Sequence, residues 1–411
     1  MAGGGESLWL VVPAGETAAG AWIDDTLRER AIEAGLLGRT PLAGRFPRQR
    51  VEPFSGDDPA ERAARLYRAR GWTDGLPIVL PTTARVREML AFTERKPVDL
   101  LGEVEPLKGL ATVEKIAANA VMAGCRADYF PVVLAAVEAV LDPAFNLRGL
   151  QTTDENAAPL IVVSGPVAQA LDVNASFGAL GPGWRANSTI GRALRLVLNN
   201  IGGGWPGAVS FAGLGHAGRY TMCIAENERQ SPWPALHTEA GLGPEASAVT
   251  LFRAETAINV TGGLAEIASV MGSAASAFQI LWSGIATVIV SPATASQLAR
   301  EGKTKDDVRR WLWQHGRWPA EQWRSSWLFD LVESPERWQP WVHASAAAGA
   351  VQPTPSPEDI AIVVAGGDIP IAQHVYCPSW GFPPARITRE VRLPRDWERR
   401  HAELCEEERE P

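Results

Sequence analysis

The feature that most constrains the fold is an alternation of short β-branched runs with longer helical patterns. Runs such as PLIVVSGP (159–166), IATVIVSP (285–292) and DIAIVVAGG (359–367) are rich in Val and Ile, and each ends at Gly or Pro, which is typical of buried strands. Between such runs, segments such as IGRALRLVLNNIGG repeat apolar residues at helical spacing. The alternation predicts an α/β fold in which a layered, mainly parallel or mixed sheet is flanked by helices.

The clearest unit of this kind is IATVIVSPATASQLAREGKTKDDVRRWLWQHG (285–316). Its strand is followed by a helix that ends near Gly302 and then by a second helix. Thr304 is predicted to cap the second helix, because Asp307 lies three residues further on, as in a capping box. A Trp-rich helical segment (311–341) follows, and its aromatic density fits a lid, an oligomer contact or ordinary packing.

Shifts in composition divide the chain into three parts. Residues 1–60 are predicted to hold a strand, a helix and a Pro/Gly-rich N-terminal arm. Residues 61–390 are predicted to form the α/β catalytic core, with a candidate division into two subdomains near residue 245. Residues 391–411 are rich in Arg and Glu and are predicted to be a charged, peripheral C-terminal tail.

Charge and cysteine usage exclude several classes of protein. The formal net charge is -8 and the arginines are spread among acidic residues, so no basic face is available for nucleic acid. No apolar run is long enough to cross a membrane, and SLWLVVPAG near the N-terminus is read as a strand because no basic leader precedes it. The four cysteines are far apart and form no CxxC motif, which predicts a reduced, cytoplasmic protein.

The strongest local signal for a binding site is GPGWRANSTIGRAL (181–194). A Gly/Pro loop containing Trp184 leads into a helix, and Asn187, Ser188 and Thr189 offer capping groups to it. Because a helix N-terminus presents unpaired N–H groups, and Arg185 lies beside it, the segment is a candidate carboxylate or phosphate site. The alternative is a plain capped helix. Neither GK[ST] nor GxGxxG is present, so a nucleotide is not indicated.

Cys125 is a candidate nucleophile because of its position between two helical patterns. It follows Gly124, and the second helix is expected to begin near residues 127–128. The helix field and Arg126 would both lower the pKa of the thiol. The alternative is a small buried residue in a helix–helix turn. Asp74, in the turn WTDGLP, is a candidate acid or substrate ligand, with ordinary turn chemistry as the alternative.

The stretch LGHAGRYTMCIAENERQSPWPALHTEAG (214–241) gathers reactive side chains: His216, Cys223, Glu226, Glu228 and His237. His and Glu are the usual proton carriers of enzymes, and together they can also bind a metal. Their spacing matches no familiar ligand motif such as HExxH. Apolar residues interrupt the polar ones, so the stretch is expected to enter the body of the protein and form part of an active site. The alternative is a polar surface connection.

Four long stretches occur in the order RGWTDGLPIVLPTTARVREML, ATVEKIAANAVMAGCRADYFPVVLAAVEAVL, LGPGWRANSTIGRALRLVLNNIGG and YTMCIAENERQSPWPALHTEAG. Together they resemble a bacterial family found in association with the UGSC (seleno)proteins, over about residues 72–365. The resemblance implies an enzyme-like protein linked to thiol or redox metabolism. No cysteine of this chain follows Gly-Ser, so a Gly-Ser-Cys motif is not present. The motif positions that the resemblance marks are Cys125, Trp184, Arg185, Asn187, Cys223, Glu226 and Glu228.

The preferred hypothesis is an enzyme that acts on a small anionic substrate, as a thiol-dependent oxidoreductase or lyase. Cys125 or Cys223 would supply the thiol. The proton carriers would be His216, Glu226 and Glu228. Substrate binding is assigned to Trp184, Arg185, Asn187, Ser188, Thr189 and Asp74.

Two alternatives remain open from the sequence. One is a metal-dependent hydrolase or lyase that uses His216, Glu226, Glu228 and His237. The other is a non-catalytic subunit of a redox complex. The sequence identifies no cofactor. The expected partners are a small-molecule substrate, further copies of the chain in a homo-oligomer, and a (seleno)protein partner, with no nucleic acid and no membrane.

Overall fold

The computed structural model describes the backbone of Leu8–Val11 and Val51–Phe54 and the chain from residue 58 to residue 407. The two N-terminal segments are antiparallel strands, β1 (Leu8–Val11) and β2 (Val51–Phe54). The strand expected near the N-terminus is therefore present. The expected helix lies outside the described residues, as does most of the Pro/Gly-rich arm, in which Val51–Phe54 forms β2.

The remaining elements alternate as the sequence predicts. The further strands are β3 (Leu100–Val104), β4 (Gly109–Thr112), β5 (Ala158–Ser164), β6 (Cys223–Ala225), β7 (Ala248–Ala254), β8 (Ile258–Thr261), β9 (Ala286–Val290), β10 (Trp318–Pro319), β11 (Ala350–Val351), β12 (Ile360–Val364), β13 (Gln373–Cys377) and β14 (Arg386–Glu390).

The α-helices are α1 (Pro59–Ala69), α2 (Thr83–Leu90), α3 (Val113–Ala123), α4 (Phe130–Val140), α5 (Leu147–Thr152), α6 (Pro166–Ala170), α7 (Arg185–Asn200), α8 (Leu236–Glu239), α9 (Leu264–Met271), α10 (Ala277–Leu281), α11 (Pro292–Arg300), α12 (Lys305–His315), α13 (Ala320–Arg324), α14 (Leu328–Leu331), α15 (Pro340–Ala347) and α16 (Trp397–Glu407). Short 3₁₀ helices span Ala127–Tyr129, Pro143–Phe145, Ala217–Arg219, Ala274–Ser276, Pro335–Arg337 and Pro357–Asp359.

Two mixed four-stranded sheets form the centre of the protein. The first sheet has the strand order β14-β7-β5-β6, and the second has the order β12-β9-β13-β8. In the first sheet β5 and β6 are parallel and the other neighbours are antiparallel. In the second sheet β12 and β9 are parallel and the other neighbours are antiparallel. The predicted α/β fold with a mixed sheet is confirmed.

The two sheets pack face to face. Leu160 and Val162 of β5 share one buried apolar cluster with Ile289 of β9 and with Ala361 and Val363 of β12. Because successive side chains of a strand point to opposite faces, the intervening residues of these strands point away from this cluster. The inner faces of the two sheets therefore form a common core.

Helices cover the two outer faces. Ile161 and Val163 of β5 lie in a cluster with residues of α3, α4 and α7, whereas Val288 and Ile362 lie in another cluster with residues of α9 and α12. The layers therefore follow the order helix, sheet, sheet, helix. A strand in such a stack is buried on both faces, as every residue of β5, β9 and β12 is. This burial explains why these strands are continuous apolar runs rather than alternating ones.

The local predictions for the segments after β9 are confirmed where the structure describes them. Thr304 caps α12 and forms a capping box with Asp307. In the Trp-rich segment, Trp318, Trp323 and Trp338 are buried in one cluster, and the first two rings meet edge to face at 5.1 Å between centroids. These three residues therefore serve ordinary packing.

The C-terminal helix α16 is anchored to the body of the protein. Trp397 is buried in the cluster that contains α3 and α4, and the His401 ring bonds through Nδ1 to Asp128 Oδ2 at 2.7 Å. Among the helices of the described residues, none is both long and apolar enough to cross a membrane by itself, and two bent helix pairs pass this test on length and composition.

Candidate functional site

The start of α7 differs from the predicted anion site. The helix begins at Arg185, and Trp184, at the N-cap, makes no capping bond with its side chain. The capping role expected of Asn187, Ser188 and Thr189 is therefore wrong, because all three lie within the first turns. Thr189 Oγ1 instead donates a hydrogen bond to the Arg185 carbonyl at 2.7 Å.

Asn187 is a buried structural residue. Its Oδ1 accepts the Asn174 N–H at 2.7 Å, and its Nδ2 donates to the carbonyl oxygens of Asn174, Ala179 and Cys223. The amide thus joins the loop before α7 to strand β6. Since both ends of the amide are engaged within the protein, we do not retain Asn187 as a substrate ligand.

Cys125 lies beside Arg185 and Thr189 of the α7 start. Arg185 Nε donates to the Gly124 carbonyl at 3.1 Å, and Cys125 Sγ donates to the Thr189 carbonyl at 3.3 Å. The helical segment after Cys125 begins at residue 127, as expected. Burial raises the pKa of the Cys125 thiol to about 12, against the opposing effects of the Thr189 bond and Arg185. The expected lowering of this pKa is therefore wrong.

The other candidates near this helix are also structural. Asp74 and Arg192 form a bidentate ion pair, with N–O distances of 2.7 and 2.8 Å, and the Asp74 side chain is 3% exposed. Asp74 Oδ1 also accepts the Leu76 N–H, so Asp74 stabilises the turn, which was the alternative interpretation. Burial raises the pKa of Cys223 above its usual value. Neither Cys125 nor Cys223 is therefore a thiolate near neutral pH.

The reactive residues of the stretch 214–241 are split between the two ends of the first sheet. The Gly215 N–H donates to Asn156 Oδ1, just before β5, whereas the Glu226 N–H donates to the Val163 carbonyl, near the end of β5. At about 3.3 Å per residue, these two points lie on the order of 20 Å apart. His216 is therefore not assembled with Glu226, Glu228 and His237. No group of three or more His, Cys, Asp or Glu residues within the described ranges has an arrangement suited to a metal ion.

Glu226 lies at the carboxyl end of β6 in a buried charge network. Its Oε2 accepts the Leu236 N–H at 2.7 Å, and its Oε1 is 3.5 Å from Lys305 Nζ. Lys305 Nζ also lies 2.6 Å from Glu239 Oε1, and Glu239 Oε2 lies 2.5 Å from the Arg309 guanidinium. Burial raises the pKa of Glu226 to about 7, and Lys305 acts against this shift. The network joins the loop after β6 to helix α12, which packs on the second sheet.

Glu228 and His237 lie near the same end of the sheet. Glu228 Oε1 accepts the Gly165 N–H at 2.5 Å, and His237 Nδ1 is 4.0 Å from the same oxygen. His237 Nε2 is 3.4 Å from the Pro244 carbonyl. These contacts hold the loop after β6 against the end of β5, which is a structural role.

A cavity of about 400 Å³ lies at the opposite end of the two sheets. It is lined by the segments before β5 and β6, the segment between β7 and β8, the 3₁₀ helix at Ala274–Ser276, and Pro378 after β13. The polar residues that line it are Glu155, Asn156, His216, Glu255 and Thr256. The chain passes from the first sheet to the second at this point, so both sheets contribute to the cavity.

Strand register brings the two carboxyl groups of the cavity to one edge. β5 and β7 are antiparallel, and Ala158 pairs with Ala254. Residues just before β5 therefore lie beside residues just after β7. Glu155 belongs to the first set and Glu255 to the second. Ala254 also bridges to Ser379, which ties this edge to the strand end of the second sheet.

The environment of the cavity shifts the pKa values of both carboxyl groups upwards. Burial raises the pKa of Glu255 well above its usual value, and the nearby Glu155 charge adds to the shift. Burial also raises the pKa of Glu155, with a further contribution from Asp154. Glu255 Oε1 is buried and has no hydrogen-bond partner in the described structure. Glu255 is therefore the group that stays protonated to the higher pH.

His216 is neutral in this environment. Burial lowers its pKa to about 4, and the charges of Arg219 and Arg195 act in the same direction. The Gly218 N–H donates to His216 Nδ1 at 3.1 Å, so the ring proton is on Nε2. His216 Nε2 is buried, and the backbones of Asn156 and Ala254 interact with the ring and act against the lowering of its pKa. The cavity thus combines a protonated carboxyl, a second carboxyl and an imidazole N–H.

His216 was a candidate from the sequence, whereas Glu155 and Glu255 were not. Glu155 lies just before the predicted strand run PLIVVSGP, and Glu255 lies just after the similar run VTLFRA. Polar residues at strand ends were therefore the available signal. Recognising Glu155 and Glu255 as neighbours requires the antiparallel pairing of β5 with β7, and a mainly parallel sheet does not suggest that pairing.

Comparison of the chain with protein-family models, with curated proteins and with solved structures finds no match.

Proposed function

We propose that the protein is an enzyme that performs acid–base chemistry, of the lyase or hydrolase type, on a small molecule held in the cavity beside Glu155, His216 and Glu255. The observation that carries the proposal is the pairing of two carboxyl groups with a neutral imidazole in one cavity. Pairs of titratable groups whose surroundings shift their pKa values are typical of acid–base sites. The volume of about 400 Å³ suits a small-molecule substrate.

Each side chain has a role that follows from its protonation state. Glu255, protonated, donates its proton to the oxygen of a departing group, which leaves as water or an alcohol. Glu155, the more exposed carboxyl and the first to ionise, removes a proton from the substrate or from an attacking water. His216 donates a hydrogen bond from Nε2 to the substrate oxygen that gains negative charge.

The thiol-dependent reaction is not part of this proposal. Neither Cys125 nor Cys223 lines the cavity, and burial raises the pKa of both thiols. The free state of all four cysteines, each within the described residues, supports a reducing compartment such as the cytoplasm as the place where the protein acts.

Carboxyl-to-amide variants test the proposal. Purified protein is assayed against panels of hydroxy acids, esters and amides, and the substrate found is used to compare Glu255→Gln, Glu155→Gln and His216→Gln with the wild type. We expect each of the first two variants to lower kcat by about 10²- to 10⁴-fold, which is the usual contribution of a positioned acid or base. His216→Gln should lower kcat less, because an amide N–H can replace the imidazole donor.

Glu88→Gln is the matched control, because Glu88 is an exposed residue of α2 and lies outside the cavity. Its kcat should equal that of the wild type. Full activity in Glu255→Gln and Glu155→Gln would remove the carboxyl pair from the mechanism. Activity lost only in Cys125→Ser would favour the thiol hypothesis, and absence of turnover with every panel would favour a non-catalytic subunit.

A further inference from the structure

A second, smaller cavity lies beside two arginines that the acid–base site does not use. Its volume is about 10 Å³, and Arg195 of α7 and Arg219 of the 3₁₀ helix Ala217–Arg219 both line it. The rest of its lining is mainly apolar, and includes Pro159, Leu194 and Met222. The cavity is small, so it favours a small species over a large polyatomic one.

The hydrogen bonds of the two guanidinium groups go to uncharged acceptors. Arg195 donates from Nε to the Arg219 carbonyl at 2.7 Å and from one terminal nitrogen to Gln151 Oε1 at 3.2 Å. Arg219 donates from its two terminal nitrogens to Ser210 Oγ at 2.8 Å and to the Glu155 carbonyl at 3.2 Å. Arg219 Nε is buried and has no hydrogen-bond partner in the described chain.

The positive charge of this pair is not neutralised by the described residues. No carboxylate between residues 58 and 407 forms an ion pair with Arg195 or Arg219, whereas other partly buried arginines, such as Arg192 and Arg309, each have one. Among the described residues, the charged neighbour that perturbs Arg195 is Arg219, which carries the same charge. Two like charges in a partly buried site are costly unless an opposite charge accompanies them.

We propose that this cavity binds a monatomic anion of the halide class, with chloride as its ordinary occupant. A halide is a single atom, which suits a small cavity, and its one negative charge offsets one of the two guanidinium charges. It also accepts the hydrogen bond that Arg219 Nε does not make within the protein. A water molecule would accept this bond but would leave the charge in place. The apolar lining does not oppose a halide, which needs few directional partners.

This inference does not depend on the proposed acid–base activity. The halide would bridge α7 to the segment before β6, because Arg195 belongs to the first and Arg219 to the second. Binding should therefore stabilise the folded chain against unfolding, since the unfolded chain does not assemble the two arginines.

Thermal unfolding at constant ionic strength tests the site. The sodium salt is changed stepwise from gluconate, which is too large for the cavity, to chloride or bromide. We expect the Tm of the wild type to rise steadily with halide concentration. In Arg219→Gln the dependence on halide should be lost or shifted at least tenfold to higher concentration. Arg87→Gln, which removes an exposed arginine of α2, should retain the full dependence.

A crystal grown in bromide gives a readout that is independent of stability. We expect an anomalous peak between the Arg195 and Arg219 guanidinium groups in the wild type, and no such peak in Arg219→Gln. If Arg219→Gln fails to fold, Arg219→Lys serves in its place and should weaken halide binding, because it removes the Nε donor. A wild-type Tm that is equal in gluconate and chloride, or a bromide crystal without a peak in this cavity, would overturn the proposal.

Discussion

Replacement of Lys305 by Met should destabilise the protein strongly, because it removes the cation from a buried network of acids. The Lys305 side chain is 5% exposed and the Glu226 side chain is 0% exposed. Lys305 Nζ lies 3.5 Å from Glu226 Oε1 and 2.6 Å from Glu239 Oε1, and donates to the Pro234 carbonyl at 2.9 Å. Breaking a buried ion pair by removing one partner costs about 3–5 kcal/mol. We expect a loss of this size in the free energy of unfolding at pH 8.

The loss should depend on pH in a defined direction. The pKa of Glu226 is already raised to about 7 in the folded protein, and Lys305 is the main group that opposes this rise. Without Lys305 the pKa of Glu226 rises further. A carboxyl whose pKa is higher in the folded state binds more protons there, so stability falls as pH rises from about 4.5, the unfolded value, to the folded pKa. Lys305→Met should therefore be less damaging at pH 5 than at pH 8.

Urea unfolding followed by tryptophan fluorescence measures these differences. Lys303→Met is the matched control, since Lys303 is exposed and lies two residues away. Adding Glu226→Gln to Lys305→Met should recover part of the loss, because the amide needs no counter-charge. The reasoning would be refuted if Lys305→Met cost no more than Lys303→Met, or if the double variant were as unstable as Lys305→Met alone.

Three further predictions test other parts of the structure. Cys125 should react with iodoacetamide at pH 8 more slowly than the less buried Cys405, because burial raises the Cys125 pKa to about 12; mass spectrometry showing Cys125 labelled first would contradict this. His216 should titrate near pH 4 in a histidine NMR experiment, so its contribution lowers stability as pH falls below its ordinary value of 6.5; a midpoint at 6.5 would contradict the neutral imidazole. Gly165→Ala should be poorly tolerated, because φ is +86° and a Cβ would lie 2.1 Å from a backbone carbonyl oxygen; thermal unfolding should show a much larger loss than for Gly207→Ala, where φ is +74° and the space is open.

The central strands could be predicted from the sequence because a strand that is buried on both faces is a continuous apolar run. β5, β9 and β12 are continuous Val/Ile runs that end at Ser-Gly, Ser-Pro or Ala-Gly, and the pattern requires no partner to be recognised. The pairing of these strands produces no comparable pattern in the sequence. Neither the division into two sheets nor the antiparallel contact between β5 and β7 follows from the composition of either strand.

The candidate site depends on the pairing of the strands, which the sequence does not reveal. Glu155 and Glu255 are 100 residues apart in the numbering and meet only through the register of β5 with β7. Cys125 and Arg185 were separate candidates from the sequence and do lie close together, but the pKa of the thiol depends on how much of the core covers it. Local features such as a neighbouring arginine or helix start have weaker effects on that pKa than burial does.

The path of the chain through the two sheets restricts how the protein can be divided. β5, β6 and β7 precede the second sheet, yet β14, which pairs with β7, comes only after the second sheet is complete. A fragment that stops after β7 would lack this edge strand and would expose the inner face that packs on β9 and β12. The first sheet is therefore complete only when the second has formed. We expect the two sheets to unfold in one cooperative transition. Limited proteolysis should accordingly release no stable half-protein cut at the crossing between β7 and β8.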